Sequence, residues 1–267
     1  MSSDLDFIRD LAFQTGQHLL NSFDHDGTHA QRKADHTVIT DADLEADRII
    51  TAAIQSQYPD DAILSEEALA PIQDAQHPIW VVDPLDGTTN FSLGLPVWGV
   101  SIARVVGGYP TLAALSFPLL NELYSAASGH GAWLNGQQIH VKPLDPLQPA
   151  AFFTCCTRSH RLYHIQVPYK ARILGSAAYD MCAIARGASV AGFQAATKLW
   201  DIAAGWLLIQ EAGGIVHAYH DPQPFPLDTD LDYTTLPFPT LMAVDADLAA
   251  QTRQNIQPRA KLPSEMT

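Results

Sequence analysis

Asp83-Pro84-Leu85-Asp86-Gly87-Thr88-Thr89-Asn90-Phe91 crowds two carboxylates, a rigid turn, a glycine and two hydroxyls into one short stretch, a mixture suited to metal and phosphate. Two ionised carboxylates held this close repel, and a divalent cation that prefers oxygen ligands is the usual counterweight. Pro84 fixes φ at the second position of a turn, and Asp83 can accept a hydrogen bond from the backbone ahead of it. Gly87 lets the backbone approach a ligand, and Thr88-Thr89-Asn90 reads as a helix start whose N–H groups would receive a phosphate. Asp-Pro-x-Asp-Gly also describes an ordinary surface turn, so its surroundings must decide. Two further acids sit where an apolar run meets a turn or helix: Glu66 in Leu64-Ser65-Glu66-Glu67 and Asp201 in Trp200-Asp201-Ile202. Taken singly, Glu66 reads as a surface acid, Asp43 as a helix-capping residue and Asp201 as the N-cap of a helix beginning at Ile202.

These residues need elements to hold them. Ile79-Trp80-Val81-Val82 is a short apolar, β-branched and aromatic run, the mark of a buried strand delivering the central motif. Ser3 with Asp6 predicts a capping box for a helix over 4–23, and Thr40 with Asp43 a second one for a helix over 41–57 that Tyr58-Pro59 ends. Residues 97–106 and 112–117 read as paired strands about Gly107-Gly108, and Asn135-Gly136 as a further hairpin turn. Pro143, Pro146 and Pro149 then punctuate the chain. Beyond them the strands Ala151-Phe152-Phe153 and Arg172-Ile173-Leu174 alternate with helices around 177–187 and 202–212. A boundary near 147 is expected, separating an α+β part (1–147) with most candidate metal ligands from an α/β part (148–257) with Asp201, before a disordered tail over 258–267.

Composition sets limits. The 267 residues are 47% hydrophobic and 16% charged, enough for a large core. A formal net charge of −14 argues against a general basic surface for a nucleic acid polymer or anionic membrane, so an anionic substrate needs local cations. Cys155, Cys156 and Cys182 lack metal-site spacing and suit a reducing cytoplasm. No basic leader opens the sequence and no segment approaches the ~18 apolar residues of a membrane span, so the expectation is a soluble cytoplasmic protein.

The order and spacing of the motifs resemble the inositol monophosphatase family of magnesium-dependent, lithium-sensitive phosphomonoesterases. The resemblance rests on Lys33 with Ile39-Thr40-Asp41-Ala42-Asp43, on Leu64-Ser65-Glu66-Glu67, on the stretch from Trp80 to Phe91, on Gly129-His130-Gly131-Ala132-Trp133-Leu134-Asn135-Gly136, on Gly175-Ser176-Ala177-Ala178, and on Trp200-Asp201-Ile202-Ala203-Ala204-Gly205 with Glu211-Ala212-Gly213-Gly214. It implies a layered α-β-α-β-α sandwich in the α+β class, a homodimer, and two or three Mg2+ per site. It further implies that Glu66, Asp83 and the Leu85 carbonyl hold one ion and that Asp83, Asp86 and Asp201 hold another. Glu66 and Thr88 would orient the attacking water, with Asp43 supporting them and the Gly87 and Thr88 N–H groups binding phosphate. Gly175, Ser176, Ala177 and Gln194 would contact the rest of the substrate. Paired Mg2+ ions would offset the four carboxylates and admit a phosphate dianion to an acidic protein.

The implied reaction is hydrolysis of a small phosphorylated polyol such as inositol monophosphate. Fructose 1,6-bisphosphate, histidinol phosphate and 3′-phosphoadenosine nucleotides are rivals within the same chemistry, and a catalytically silent regulatory or interaction protein is a rival of another class. Gln194 stands where the family has a glutamate that accepts hydrogen bonds from substrate hydroxyls. An amide there predicts weaker polyol recognition. Arg158, His160, Arg161 and Lys198 are the cations placed to meet a second anionic group, while His160 and His164, four apart, read as a loop rather than a zinc site.

Overall fold

The computed structural model describes residues 3–32, 38–144 and 151–259. Lys33, Pro146, Pro149, the expected boundary near 147 and residues 260–267 lie outside them.

Ile79–Asp86 is the strand around which the layers form, and all of it is buried. Its side chains alternate in the usual period of two. Trp80 and Val82 enter a core with the helices Ser3–Ser22 and Asp41–Gln57, whereas Ile79 and Val81 enter a second core with the helices Ala177–Ala185 and Leu199–Glu211. A strand covered on both faces needs the unbroken apolar run seen in the sequence. It is second in a seven-stranded sheet of consecutive strands from Ala62–Ser65 to Gln137–Ile139; the first pair is parallel and the rest antiparallel. Gly107, Gly108, Asn135 and Gly136 all adopt positive φ in the two expected hairpin turns.

A five-stranded mixed sheet lies beyond the second helical layer, in the order Lys170–Arg172, Phe152–Cys155, Ala191–Gln194, Thr240–Ala243, Ile215–Ala218. Its outer face packs on the helix Ala246–Gln254 through Leu248 and Ala249. The result is the layered α-β-α-β-α sandwich, α+β in class, with Leu199–Glu211 sandwiched between the sheets although its sequence follows most of the second one.

Several local expectations change. Ser3 already lies in the first helix and its hydroxyl meets Asp4, not Asp6. The expected strand Arg172-Ile173-Leu174 sits earlier, at Lys170–Arg172, leaving Ile173 and Leu174 to line a cavity. His160 lies in a short helix, Thr157–Leu162, and His164 in a strand, Tyr163–Ile165, rather than in a loop. That strand pairs with Ile256–Pro258, so Pro258 ends a strand instead of opening a tail. Among the described residues no helix is long and apolar enough to cross a membrane.

Candidate metal and phosphate site

Strand register brings the acids together. Ser65 pairs with Val82 in the parallel ladder, so the next residues along, Glu66 and Asp83, emerge side by side at the strand ends. Asp83 and Asp86 are three apart, and in a regular strand they would point to opposite faces. Opposite them the partner strand advances only from Ser101 to Gly99, and this bulge, containing Pro84 and Leu85, returns both carboxylates to one side. Pro84 has no N–H to lose there. The Leu85 N–H donates to Asp83 Oδ1 at 3.1 Å, the turn read from the motif. Gly87 follows at φ +90°, where a Cβ would stand 2.8 Å from the Val97 carbonyl oxygen, and opens the helix Thr88–Ser92.

Asp201 arrives from the second half of the chain. It is the third residue of Leu199–Glu211 rather than the cap before it, and its Oδ2 accepts the Lys198 N–H at 2.8 Å. Asp86 is fastened to the helix Ala177–Ala185: its carboxylate accepts from the Ser176 hydroxyl and from the Ala178 and Ala177 N–H groups at 3.0 and 3.2 Å. Glu66, Asp83, Leu85, Asp86, Gly87, Thr88, Thr89, Arg158, Gly175 and Asp201 then face one cavity of about 290 Å³.

Asp43 stands behind this group. Its Oδ2 accepts from the Thr40 N–H at 2.8 Å and the Thr40 hydroxyl at 2.6 Å, and its Oδ1 accepts from the Thr88 hydroxyl at 2.8 Å. Both oxygens are therefore committed to threonines. The Thr88 hydroxyl also lies 2.9 Å from the Leu85 carbonyl oxygen, so its proton is held between two acceptors. An element sequence reasoning missed supports Glu66 in a similar way: the Ser65 hydroxyl donates to Asp47, one turn beyond Asp43 on the same helix face.

The electrostatics of the cavity suit a cation. Burial, then repulsion from Glu66, Asp86, Asp201 and Asp43, pushes the Asp83 carboxyl well above its usual range. Asp201 is raised by burial and by Glu66 and Asp86; burial also lifts Asp86 to about 6 against its Ser176, Ala177, Ala178 and Tyr179 hydrogen bonds. Asp43 rises through burial, offset by Thr40 and Thr88. Carboxylates with a backbone carbonyl form an all-oxygen donor set, which suits a hard divalent ion. Among the described residues no three His, Cys, Asp or Glu side chains close around a single point. The carboxylates line the cavity as spaced donors, the arrangement for an ion that retains waters and takes substrate oxygens, as Mg2+ does.

A wider cavity of about 630 Å³ adjoins the first, sharing Thr89, Arg158, Gly175 and Asp201 with it and adding Ser176, Ala177, Gln194, Asp180 and apolar Leu95, Pro96, Val97, Ile173 and Leu174. Gly175, at φ +84°, packs against Asn90. The Ser176 hydroxyl is spent on Asp86 and on capping the Tyr179 N–H. Of the expected cations, Arg158 lines both cavities, while Lys198 donates from Nζ to the Thr235 carbonyl and His160 lies 3.5 Å from Cys155 Sγ. Asp180 was not singled out from the sequence. The signal was there, an acid inside the otherwise apolar helix Ala177–Ala185.

A sequence model of the Inositol monophosphatase family matches residues 1–257. The Nus factor SuhB of Xylella fastidiosa is 38% identical over 198 residues, covering 70% of this chain and 71% of its own. Protein qutG of Emericella nidulans is 31% identical over 258 residues, covering 81% and 78%. Among solved structures, a Thermotoga maritima IMPase aligns with a TM-score of 0.77 at 26% identity, covering 95% and 97% of the two chains. The extragenic suppressor protein suhB from Bartonella henselae gives 0.79 at 25% identity, covering 95% and 98%. With its motifs, layers and family match spanning both sheets, the chain belongs to the inositol monophosphatase family.

Proposed function

We propose that this protein is a magnesium-dependent phosphomonoesterase acting on a small phosphorylated polyol. The observation that carries the reading is the convergence of Glu66, Asp83, Asp86 and Asp201 from separate stretches on one cavity that also holds the Thr88–Asp43 pair and opens into a larger one. Glu66, Asp83, Asp86, Asp201 and the Leu85 carbonyl would hold the ions. Bound Mg2+ supplies Lewis-acid charge that stabilises phosphoryl oxygens and makes water a stronger nucleophile at neutral pH. The chain's part is positioning. Asp43 accepts the hydrogen bond from the Thr88 hydroxyl, which leaves the Thr88 oxygen lone pairs to accept from a water, and Glu66 at the neighbouring strand end fixes the other side of that water for in-line attack. Gly87, lacking a side chain, exposes the N–H groups of Gly87 and Thr88 to the ester phosphate. Arg158, at the junction of the cavities, offers the substrate a local cation that the −14 net charge otherwise denies it.

Phosphate release from a panel of esters, with Mg2+ and with chelator, tests this reading. Activity should vanish with chelator and in Asp83→Asn; a variant above about a tenth of the wild-type rate, ~1.4 kcal/mol of barrier, would sink the assignment. Asp201→Asn should lose activity too, whereas a change in melting temperature alone would leave Asp201 a helix-terminal residue. Inhibition by millimolar Li+ and a homodimer in solution belong to the same reading. A second reading, a regulatory or interaction role, draws on relatives named Nus factor, including one from Vibrio cholerae at 35% identity over 216 residues. A deletion strain restored by phosphatase-dead Asp83→Asn would favour that role over catalysis.

A further inference from the structure

Resting on the phosphatase reading of the adjoining site, we propose that Asp180 is a positioning residue that locks the Gln194 side chain so that its carbonyl oxygen, rather than its NH2, meets the substrate as a hydrogen-bond acceptor for a hydroxyl. Gln194 is the last residue of the strand Ala191–Gln194, is 1% exposed, and lines the wider cavity. Its Nε2 donates to Asp180 Oδ2 across the boundary between strand and helix. An amide has its donors on nitrogen and its acceptor on oxygen, so committing the nitrogen to Asp180 leaves the oxygen for the cavity. Which way an amide points follows from its partners, and a carboxylate partner admits one answer.

The surroundings of Asp180 favour that arrangement. Asp180 is 2% exposed, and burial lifts its carboxyl to about 8, with the nearby Thr154 hydroxyl and the Gln194 amide pulling the other way and the Asp86 charge adding to the rise. Asp180 Oδ1 and the Thr154 hydroxyl are both buried outside hydrogen-bond geometry, so a proton taken up by Asp180 has Oδ1 to occupy while Oδ2 continues to accept from Gln194. Toward pH 9 the ionised form predominates, and an ionised carboxyl has no proton to offer, which favours the same amide orientation. Gln194 therefore does not simply weaken the pocket by replacing an acid. It keeps the acceptor, without the charge, in a cavity that Arg158 also lines.

The lock predicts a reciprocal pair. Gln194→Glu alone sets two carboxyl groups face to face, and at about pH 9 should lower kcat/KM at least about tenfold, chiefly through KM. Asp180→Asn/Gln194→Glu restores a donor opposite an acceptor and should recover to within about threefold of wild type. Preference for a polyol phosphate over its O-methylated counterpart, which has no hydroxyl to donate, should follow the same pattern. Gln194→Glu as active as the double variant would overturn the proposal. A readout independent of catalysis is the side-chain amide of Gln194 in NMR, identified by its loss in Gln194→Leu. Its protons should exchange at least about tenfold faster in Asp180→Ala, or in Asp180→Leu if the alanine variant does not fold; unchanged exchange would refute the lock. Should wild type hydrolyse no phosphate ester, the phosphatase reading fails and the amide exchange alone decides the lock.

Discussion

At the scale of single residues, the Thr88–Asp43 pair is the sharpest test of how this site handles protons. Asp43 receives three hydrogen bonds, two on Oδ2 from Thr40 and one on Oδ1 from Thr88. In Asp43→Asn the oxygen must stay with the two Thr40 donors, so the amide nitrogen faces Thr88 and donates to it. Thr88 then turns its proton to the Leu85 carbonyl and spends on the new amide a lone pair that was meant for water. Asp43→Asn should therefore lower kcat about a hundredfold or more, ~2.7 kcal/mol, as should Thr88→Ala, while Thr88→Ser should stay within about tenfold of wild type. Melting temperatures of all three would separate this from misfolding; a fully active Asp43→Asn would remove Thr88 from water activation. Asp43 was legible in the sequence as a capping residue through its box with Thr40, and as a supporting residue only through the family resemblance. Its bond to Thr88, forty-five residues on, was not, since nothing local encodes which side chain a helix face will meet.

At the scale of elements, the bulge and the glycine after it set the geometry. The strand–turn–helix succession over 79–92 was legible from apolar run, Pro84 and Gly87, but the bulge was not, because it exists only relative to the register of the partner strand. Likewise, helix ends read from propensity placed Asp201 just outside a helix that begins earlier, at Leu199, since packing between two sheets overrides the local signal. Gly87 and Gly136 offer a controlled comparison. Both have positive φ, +90° and +78°, but a Cβ at Gly87 meets the Val97 carbonyl oxygen at 2.8 Å and one at Gly136 meets nothing within 4 Å. Gly136→Ala should cost only the left-handed backbone, about 1–2 kcal/mol. Gly87→Ala adds a backbone clash that must displace one of two strand ends, and should cost at least about 1 kcal/mol more and reduce activity well beyond its loss of stability. Urea midpoints with kcat for both variants decide it; equal costs would mean that residues 97–98 yield freely.

At the scale of the whole molecule, the site is assembled from both halves of the chain at the expense of stability, and pH should expose this. Asp86 is raised to about 6 and Asp180 to about 8, with Asp83 and Asp201 also raised by burial and by neighbouring acids. The unfolded chain releases these protons near pH 4, about the ordinary carboxylate value, while the folded chain still holds them. The folded state binds more protons across the interval from there to about 8, so the slope of stability with pH is negative and the metal-free protein weakens as pH rises. The lowered carboxyls, Glu45 and Asp232, act in the opposite sense, but their stabilisation is lost only as pH falls through their depressed values, below this interval; His217, lowered by burial and by Arg253, opposes the trend inside it, one group against the several raised carboxyls. Metal-free protein should consequently melt higher at about pH 5.5 than at about pH 8. Mg2+ that binds only the folded state should, at a hundred times its Kd, add ~2.7 kcal/mol, about 5–10 °C for a chain of this size. That gain should be larger at the higher pH, where protons no longer compete for the carboxylates. Asp83→Asn removes the carboxylate that Glu66, Asp86, Asp201 and Asp43 all oppose, so it should melt above wild type in chelator at about pH 8 and lose most of the Mg2+ shift. Melting curves with chelator and with Mg2+ at both values of pH settle the matter: a wild type indifferent to pH and to Mg2+ would mean that Glu66, Asp83, Asp86 and Asp201 carry no shared charge for a cation to relieve.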